Sequence, residues 1–123
     1  MRVAGVIRAS IRQATADVEL HGVVIPKGTL VSPLLAAANH DPDVFSEPER
    51  FDITREPVRP QLTFGGGIHY CLGANLARAE LAEALVILAR RMPDIAIDGD
   101  VTWRPLIGIQ GPTSLPVRFT ATA

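Results

Sequence analysis

The sequence predicts a chain of α+β type, with one long helix and short strands on either side of it. Three observations lead there. The longest helical pattern begins at Ala74 and runs to about Met92, with Pro93 marking its end. Between residues 17 and 31, three short segments of strand-type residues are separated by turn residues. The tail adds two more strand-like segments, Ile95-Ala96-Ile97 and Leu115-Pro116-Val117-Arg118-Phe119.

Taken in order, residues 1–16 show no clear period, although Arg2, Arg8 and Arg12 recur among apolar neighbours. Asp17-Val18-Glu19-Leu20 alternates polar and apolar, the pattern of a half-buried strand. His21-Gly22 interrupts it, Val23-Val24-Ile25 reads as a second strand, Pro26-Lys27-Gly28 turns the chain, and Thr29-Leu30-Val31 reads as a third. Ser32-Pro33 suits a helix start, a hydroxyl cap followed by proline at the first helical position, and 34–38 has high helix propensity. Asn39-His40-Asp41-Pro42 ends that helix, and turn-rich sequence follows; residues 55–63 form a polar loop with two prolines. On the long helix, Glu80, Glu83, Arg90 and Arg91 fall within one sector of ~100°, so the pattern shows one narrow wet face and buries the rest. Asp98-Gly99 is a turn between strand-like segments of the tail.

Composition narrows the function classes. With 123 residues, 47% hydrophobic and 20% charged, the chain has the length and apolar content of one globular domain. Twelve Lys and Arg against 13 Asp and Glu give a net charge of −1, which points to neither nucleic acid nor an anionic membrane. One cysteine excludes an internal disulfide and fits a reducing compartment. No apolar run approaches the roughly 20 residues of a membrane span, and the first residues are too short and interrupted for a signal peptide, so the expected location is cytoplasmic.

The stretch that organises the chain is Phe64-Gly65-Gly66-Gly67-Ile68-His69-Tyr70-Cys71-Leu72-Gly73, a glycine-rich loop that ends in the only cysteine and runs into the long helix. A sulfur there meets backbone N–H groups at the positive end of a helix dipole, surroundings that suit a thiolate, the metal-binding form. Three consecutive glycines imply a turn or a close approach that side chains would block. One cysteine cannot hold an iron–sulfur cluster or a structural zinc, but it can be the single protein ligand of a metal whose other positions a cofactor fills, as in haem. Read one at a time, Cys71 is equally an inert side chain, His69 a surface histidine and the glycines a flexible turn. Zinc held by His40, His69 and Cys71 would have too few well-spaced ligands.

Phe64-Gly65-x-Gly67-x-His69-x-Cys71-x-Gly73 resembles the haem-binding signature of the cytochromes P-450, the haem-thiolate monooxygenases. The surroundings are similar too. Arg12-x-Ala14-Thr15-x-Asp17 through Ile25-Pro26-x-Gly28-Thr29 resembles the small β-sheet of the bacterial members, and Asp41-Pro42 through Phe51-Asp52 their proline-rich meander. The tail resembles their C-terminal hairpin, with residues 108–112 as the part nearest substrate. The resemblance covers essentially the whole chain but only about the last third of a family member. It implies the cytochrome P-450 fold, mainly α with small β-sheets, of which residues 1–123 are the C-terminal α+β third of a single domain, incomplete by itself.

The resemblance also implies a site. Cys71 would be the iron ligand of haem b, and Gly65 and Gly67 would shape the loop around it. Phe64 would shield the sulfur from water, while the N–H groups of Leu72, Gly73 and Ala74 would hydrogen-bond it. His69 and Arg12 would hold the propionates. Arg78, on the helix, is either a contact for an acidic ferredoxin or flavin reductase or a structural ion-pair partner. The implied reaction inserts one oxygen atom into a small organic substrate, with electrons from NAD(P)H delivered through that partner. Two family features are missing. The helix motif Glu-x-x-Arg occurs only as Glu47 to Arg50 and Glu56 to Arg59, each with proline after the glutamate, and no Ala-Gly-x-x-Thr stretch is found. Arg50, which the family pairs with that helix motif, is therefore expected to pair locally with Glu47, Glu49 or Asp52. Two functional classes follow: the haem-binding part of a monooxygenase, inactive alone, or a non-catalytic remnant with weak or no haem binding.

Overall fold

The computed structural model of the chain describes residues 1–56, 61–104 and 109–121. It divides into two units, Met1–Thr63 and Phe64–Ala123.

The first unit holds four short strands and one short helix. Strand β1 (Arg12–Gln13) pairs antiparallel with β4 (Leu30–Val31), with Arg12 opposite Val31 and Gln13 opposite Leu30. The Ala14 amide extends this ladder by donating to the Thr29 carbonyl at 2.9 Å, and the Gly28 amide returns a bond to Ala14 at 2.8 Å. Strands β2 (Val18–Leu20) and β3 (Val23–Ile25) form a separate hairpin in which Leu20 faces Val23, leaving His21-Gly22 as a two-residue loop. Both loop residues have positive φ, 49° and 78°, the backbone of a type I′ turn whose twist matches the flanking strands. The second turn closes through the Thr29 amide on the Pro26 carbonyl at 3.1 Å, with Gly28 at φ 88° as a type II turn requires. The Asp17 carboxylate accepts from the Lys27 amide at 2.7 Å and ties the start of β2 to the second turn.

Residues 12–13 form a strand within the stretch compared with a small β-sheet, although no period marks them. Two expectations are corrected here. Val18, Glu19 and Leu20 are all exposed, not half-buried, because no strand or helix other than β3 packs on the ribbon among the described residues. Helix α1 (Leu35–Ala38) starts later than the Ser32-Pro33 signal suggests, and its N-cap position, Leu34, supplies no side-chain bond. Ser32 is spent elsewhere: its hydroxyl donates to the Ser10 carbonyl at 3.1 Å, while the Ser10 amide donates to Pro33 and the Ala36 amide to Arg8.

Beyond α1 the first unit is held by a polar knot. Asn39, 2% exposed, accepts from the Leu62 amide at 2.7 Å and donates to the Thr63 hydroxyl at 3.2 Å. Its carbonyl takes the Arg2 guanidinium at 2.6 Å, and that guanidinium also lies 4.8 Å over the ring of Phe45, the unit's buried apolar anchor. In the turn-rich 41–56 stretch Arg55 donates to the carbonyls of Ser46 and Glu47, fixing a turn whose Glu47 has φ 44°.

The second unit opens with the glycine loop, continues through helix α2 (Ala74–Arg91), and ends in paired ribbons. Strand β5 (Ala96–Ile97) pairs with β8 (Val117–Arg118), and β6 (Thr102–Trp103) with β7 (Pro112–Ser114), so the inner pair nests within the outer one along the chain. Gly108, part of the turn compared with a substrate-facing segment, lies outside the described residues, as does Arg59 of the second Glu-x-x-Arg string. Helix α2 ends as expected, with Arg90 and Arg91 complementing the dipole in its last turn and Met92 donating back to Leu88 at 2.8 Å. The apolar side chains that its pattern marks for packing are bare among the described residues. Only Ala74 is buried, at 1% exposure, and Leu76, Leu81, Leu85, Val86, Ile87 and Leu88 stand in solvent, because no described strand of its unit packs on it.

Candidate functional site

The cysteine loop is closed by one backbone bond: the Cys71 amide donates to the Phe64 carbonyl at 2.9 Å. Between these residues the chain makes a 3-10 turn, Gly67–His69, sealed by the Tyr70 amide on the Gly67 carbonyl at 3.0 Å. Gly65 and Gly67 sit at φ 72° and 63°, in the left-handed region that costs other residues roughly 1–2 kcal/mol, which is why the signature has glycine at both places. At Gly67 a Cβ would meet nothing within 4 Å, so backbone conformation rather than space selects glycine there.

Cys71 is a free, exposed thiol at the mouth of this loop. Its carbonyl accepts the Ala74 amide at 3.2 Å, and the Gly73 carbonyl accepts the Ala77 amide at 2.9 Å, so the loop passes directly into α2. The Ala74 N–H is committed to the Cys71 carbonyl, whereas the N–H groups of Leu72 and Gly73 have no acceptor among the described residues. A Cβ on Gly73 would stand 4.0 Å from the Cys71 Sγ, so glycine keeps the space beside the sulfur open.

The flanking side chains define what this sulfur can meet. Ile68 is 97% exposed and Leu72 102%, apolar groups standing in solvent on either side of Cys71. The His69 side chain is exposed too, with no hydrogen-bond partner among the described residues. Nowhere among the described residues do three His, Cys, Asp or Glu side chains gather as a metal-binding group. A metal at Cys71 would thus take its remaining donors from a cofactor, and the two bare aliphatic side chains suit a flat apolar one. These residues fit haem. Phe64 is half-buried, yet in this chain it leaves Cys71 exposed.

Of the other expected site residues, Arg12 stands in the first unit, exposed on β1, and its guanidinium donates only to the neighbouring Ile11 carbonyl at 2.8 Å. Arg50 pairs as expected within its own stretch, with Glu47 at 3.1 Å and Asp52 at 3.9 Å, and remains well exposed. His40 contributes no metal site; its Nδ1 donates to the Ala36 carbonyl at 2.8 Å, and its Nε2 lies 3.7 Å from Glu49.

One residue escaped the sequence reading. Tyr70 accepts a hydrogen bond on its hydroxyl from Arg78 Nη2 at 3.0 Å, and its ring meets Phe64 edge-on at 6.4 Å. The signal was present, since an aromatic beside the cysteine and an arginine one turn into the helix are eight residues apart.

A loop that presents one exposed thiol beside bare aliphatics, at the head of a helix, is an arrangement able to offer a single sulfur to a cofactor-borne metal. The particular family follows from comparison. The family model described as Cytochrome P450 matches residues 1–92. The luteothin monooxygenase of Streptomyces thioluteus is 48% identical over 110 residues, covering 89% of this chain and 27% of that protein. The biotin biosynthesis cytochrome P450 of Bacillus subtilis (strain 168) is 46% identical over 109 residues, covering 88% and 27%. Among solved structures, P450BioI in complex with a hexadec-9Z-enoic acid ligated acyl carrier protein superposes with a TM-score of 0.91 at 42% identity, over 97% of this chain and 31% of that one. CYP109Q5 from Chondromyces apiculatus gives 0.92 at 40% identity, over 98% and 31%. The chain belongs to the cytochrome P-450 family, has the fold of part of such a domain, and spans less than a third of the length of these relatives. Among the described residues no helix is long and apolar enough to cross a membrane.

Proposed function

We propose that residues 1–123 are the haem-holding C-terminal segment of a single-domain cytochrome P-450 monooxygenase, with Cys71 as the thiolate ligand. The observation that carries this reading is the exposed Cys71 sulfur between bare Ile68 and Leu72, on a loop whose conformation two left-handed glycines maintain. The Leu72 and Gly73 N–H groups, free of other acceptors, are the donors available to temper the sulfur's negative charge. His69 and Arg12 bind the cofactor's propionates by charge-assisted hydrogen bonds, and the exposed, unengaged His69 side chain is consistent with that role. Bound at Cys71, haem supplies dioxygen activation, and thiolate donation favours O–O cleavage for insertion of one oxygen atom into a small organic substrate. Electrons come from NAD(P)H through a ferredoxin or flavin reductase, and the site works in the cytoplasm. The isolated chain is not competent for turnover by this reading, since it spans less than a third of the length of its relatives.

The test is spectroscopic. A complete cytochrome P-450 chain that carries residues 1–123 as its C-terminal part, loaded with haem, reduced and exposed to carbon monoxide, is expected to give the red-shifted Soret band that thiolate ligation produces. Cys71→Ser is expected to abolish it, because a serine hydroxyl is a far weaker donor. His69→Ala should instead weaken haem retention by about tenfold while the bound fraction keeps the thiolate spectrum, since it removes an anchoring contact and not the ligand. A shifted band that survives Cys71→Ser would refute the assignment. No shifted band from that complete, folded chain with Cys71 in place would favour the remnant class, a chain that keeps the loop and does not hold the cofactor.

A further inference from the structure

We propose that Arg78 is a positioning residue of the cysteine loop, a clamp that fixes Phe64 and Tyr70 against the first turns of α2. Three contacts close a triangle. The Arg78 guanidinium carbon lies 4.7 Å over the Phe64 ring centroid, its Nη2 donates to the Tyr70 hydroxyl at 3.0 Å, and the two rings meet edge-on at 6.4 Å and 61°. Phe64 and Tyr70 bracket the loop: one supplies the carbonyl that receives the Cys71 amide, and the other is joined to Cys71 by a peptide bond. The loop needs such a device. Three glycines in succession give its unfolded backbone more freedom than any other sequence would, and only two turn-closing bonds span it. A helix is the stiffest element in the unit, so a side chain reaching back from its second turn transfers that stiffness to the loop.

The chemistry requires arginine. A planar guanidinium can stack on a ring through its face while donating from its edge, and both contacts are made at once here. A lysine ammonium can satisfy one of them. The role is distinct from that of a docking cation for an electron-transfer partner, because it is fulfilled wholly within the second unit. It does not depend on haem: the clamp sets the loop whether or not Cys71 ligates iron.

The experiment is amide hydrogen exchange by NMR on the 123-residue chain, read at Cys71 and Tyr70 with the β2–β3 amides as internal reference. In the parent chain both amides are expected to be protected. Arg78→Ala should speed their exchange on the order of tenfold, the loss of one cation–π contact and one hydrogen bond, with the reference amides unchanged. Arg78→Lys should recover part of the protection, and Tyr70→Phe should lose only the hydrogen-bonded share. On addition of haemin, Arg78→Ala should also give a broader carbon-monoxide Soret band than the parent, reporting several sulfur positions. If Arg78→Ala melts α2 as well, Tyr70→Phe decides, since it leaves the helix sequence intact: faster Cys71 exchange on a folded helix supports the clamp, and unchanged exchange overturns it. A Cys71 amide that exchanges at the free-chain rate in the parent would also overturn it.

Discussion

Asp52 accepts two hydrogen bonds from Thr54, one from its hydroxyl at 2.7 Å and one from its amide at 2.9 Å. These bonds hold its carboxyl below the ordinary aspartate range, the hydroxyl first, then the amide, against an opposing effect of desolvation and with lesser attraction from Arg50 and Arg55. A depressed folded-state value means the interaction stabilises fully above the unfolded value of about 3.9 and is lost as pH falls through the folded one. Thr54→Val removes the largest cause and leaves the amide donor in place. The Asp52 midpoint, followed by carboxyl carbon NMR between neutral pH and acid, is expected to rise toward the ordinary value, and the acid limb of stability should lose this residue's share. An unchanged midpoint would show that the hydroxyl does not bear on the charge.

At the scale of elements, the Asn39 knot does what no helix or sheet in the first unit does. It joins the end of α1 to residues 62 and 63, immediately before the cysteine loop. Asn39→Ala strips the part-buried Leu62 amide of its acceptor and the Thr63 hydroxyl of one donor, and an unpaired buried amide costs about 1–3 kcal/mol. The expected result is a lower denaturant midpoint for the first unit, read by the exchange of its ladder amides, with α2 helicity unaffected. Sequence pattern could not foresee this knot. Asn39-His40-Asp41-Pro42 reads as a helix stop, which it is, but the partners of Asn39 lie more than twenty residues on. Likewise, β1 has only two residues, too few to show a period, and exists because β4 lies opposite. The hairpin turn at His21-Gly22, the long helix and the cysteine loop were legible because each is local: its residue types and spacing suffice. The Arg78 triangle falls between, since its spacing is visible along the chain but its contacts are decided by where the loop folds.

For the whole molecule, the decisive fact is how little apolar surface is buried. Among the described residues only Phe45 and Ala74 count as buried apolar side chains, while Leu85 at 56% and Ile87 at 52% typify the aliphatics of α2. Burial of apolar area is the main favourable term in folding, and a contiguous exposed patch beyond several hundred Å2 ordinarily marks a surface that another surface covers. The relatives this chain matches are more than three times as long as the stretch it aligns with, so further polypeptide covering α2 agrees with both observations. The 123-residue chain alone is therefore expected to be marginally stable and to self-associate through α2. Sedimentation velocity across a concentration series should show mass rising with concentration, and an apolar-site dye should bind. Leu85→Glu with Ile87→Lys should reduce both without lowering helix content, because neither side chain contributes to a core in this chain. A concentration-independent monomer that unfolds cooperatively, binds no dye and contains no haem would contradict the argument, since it would mean that a chain whose described residues include two buried apolar side chains carries its own stabilising core.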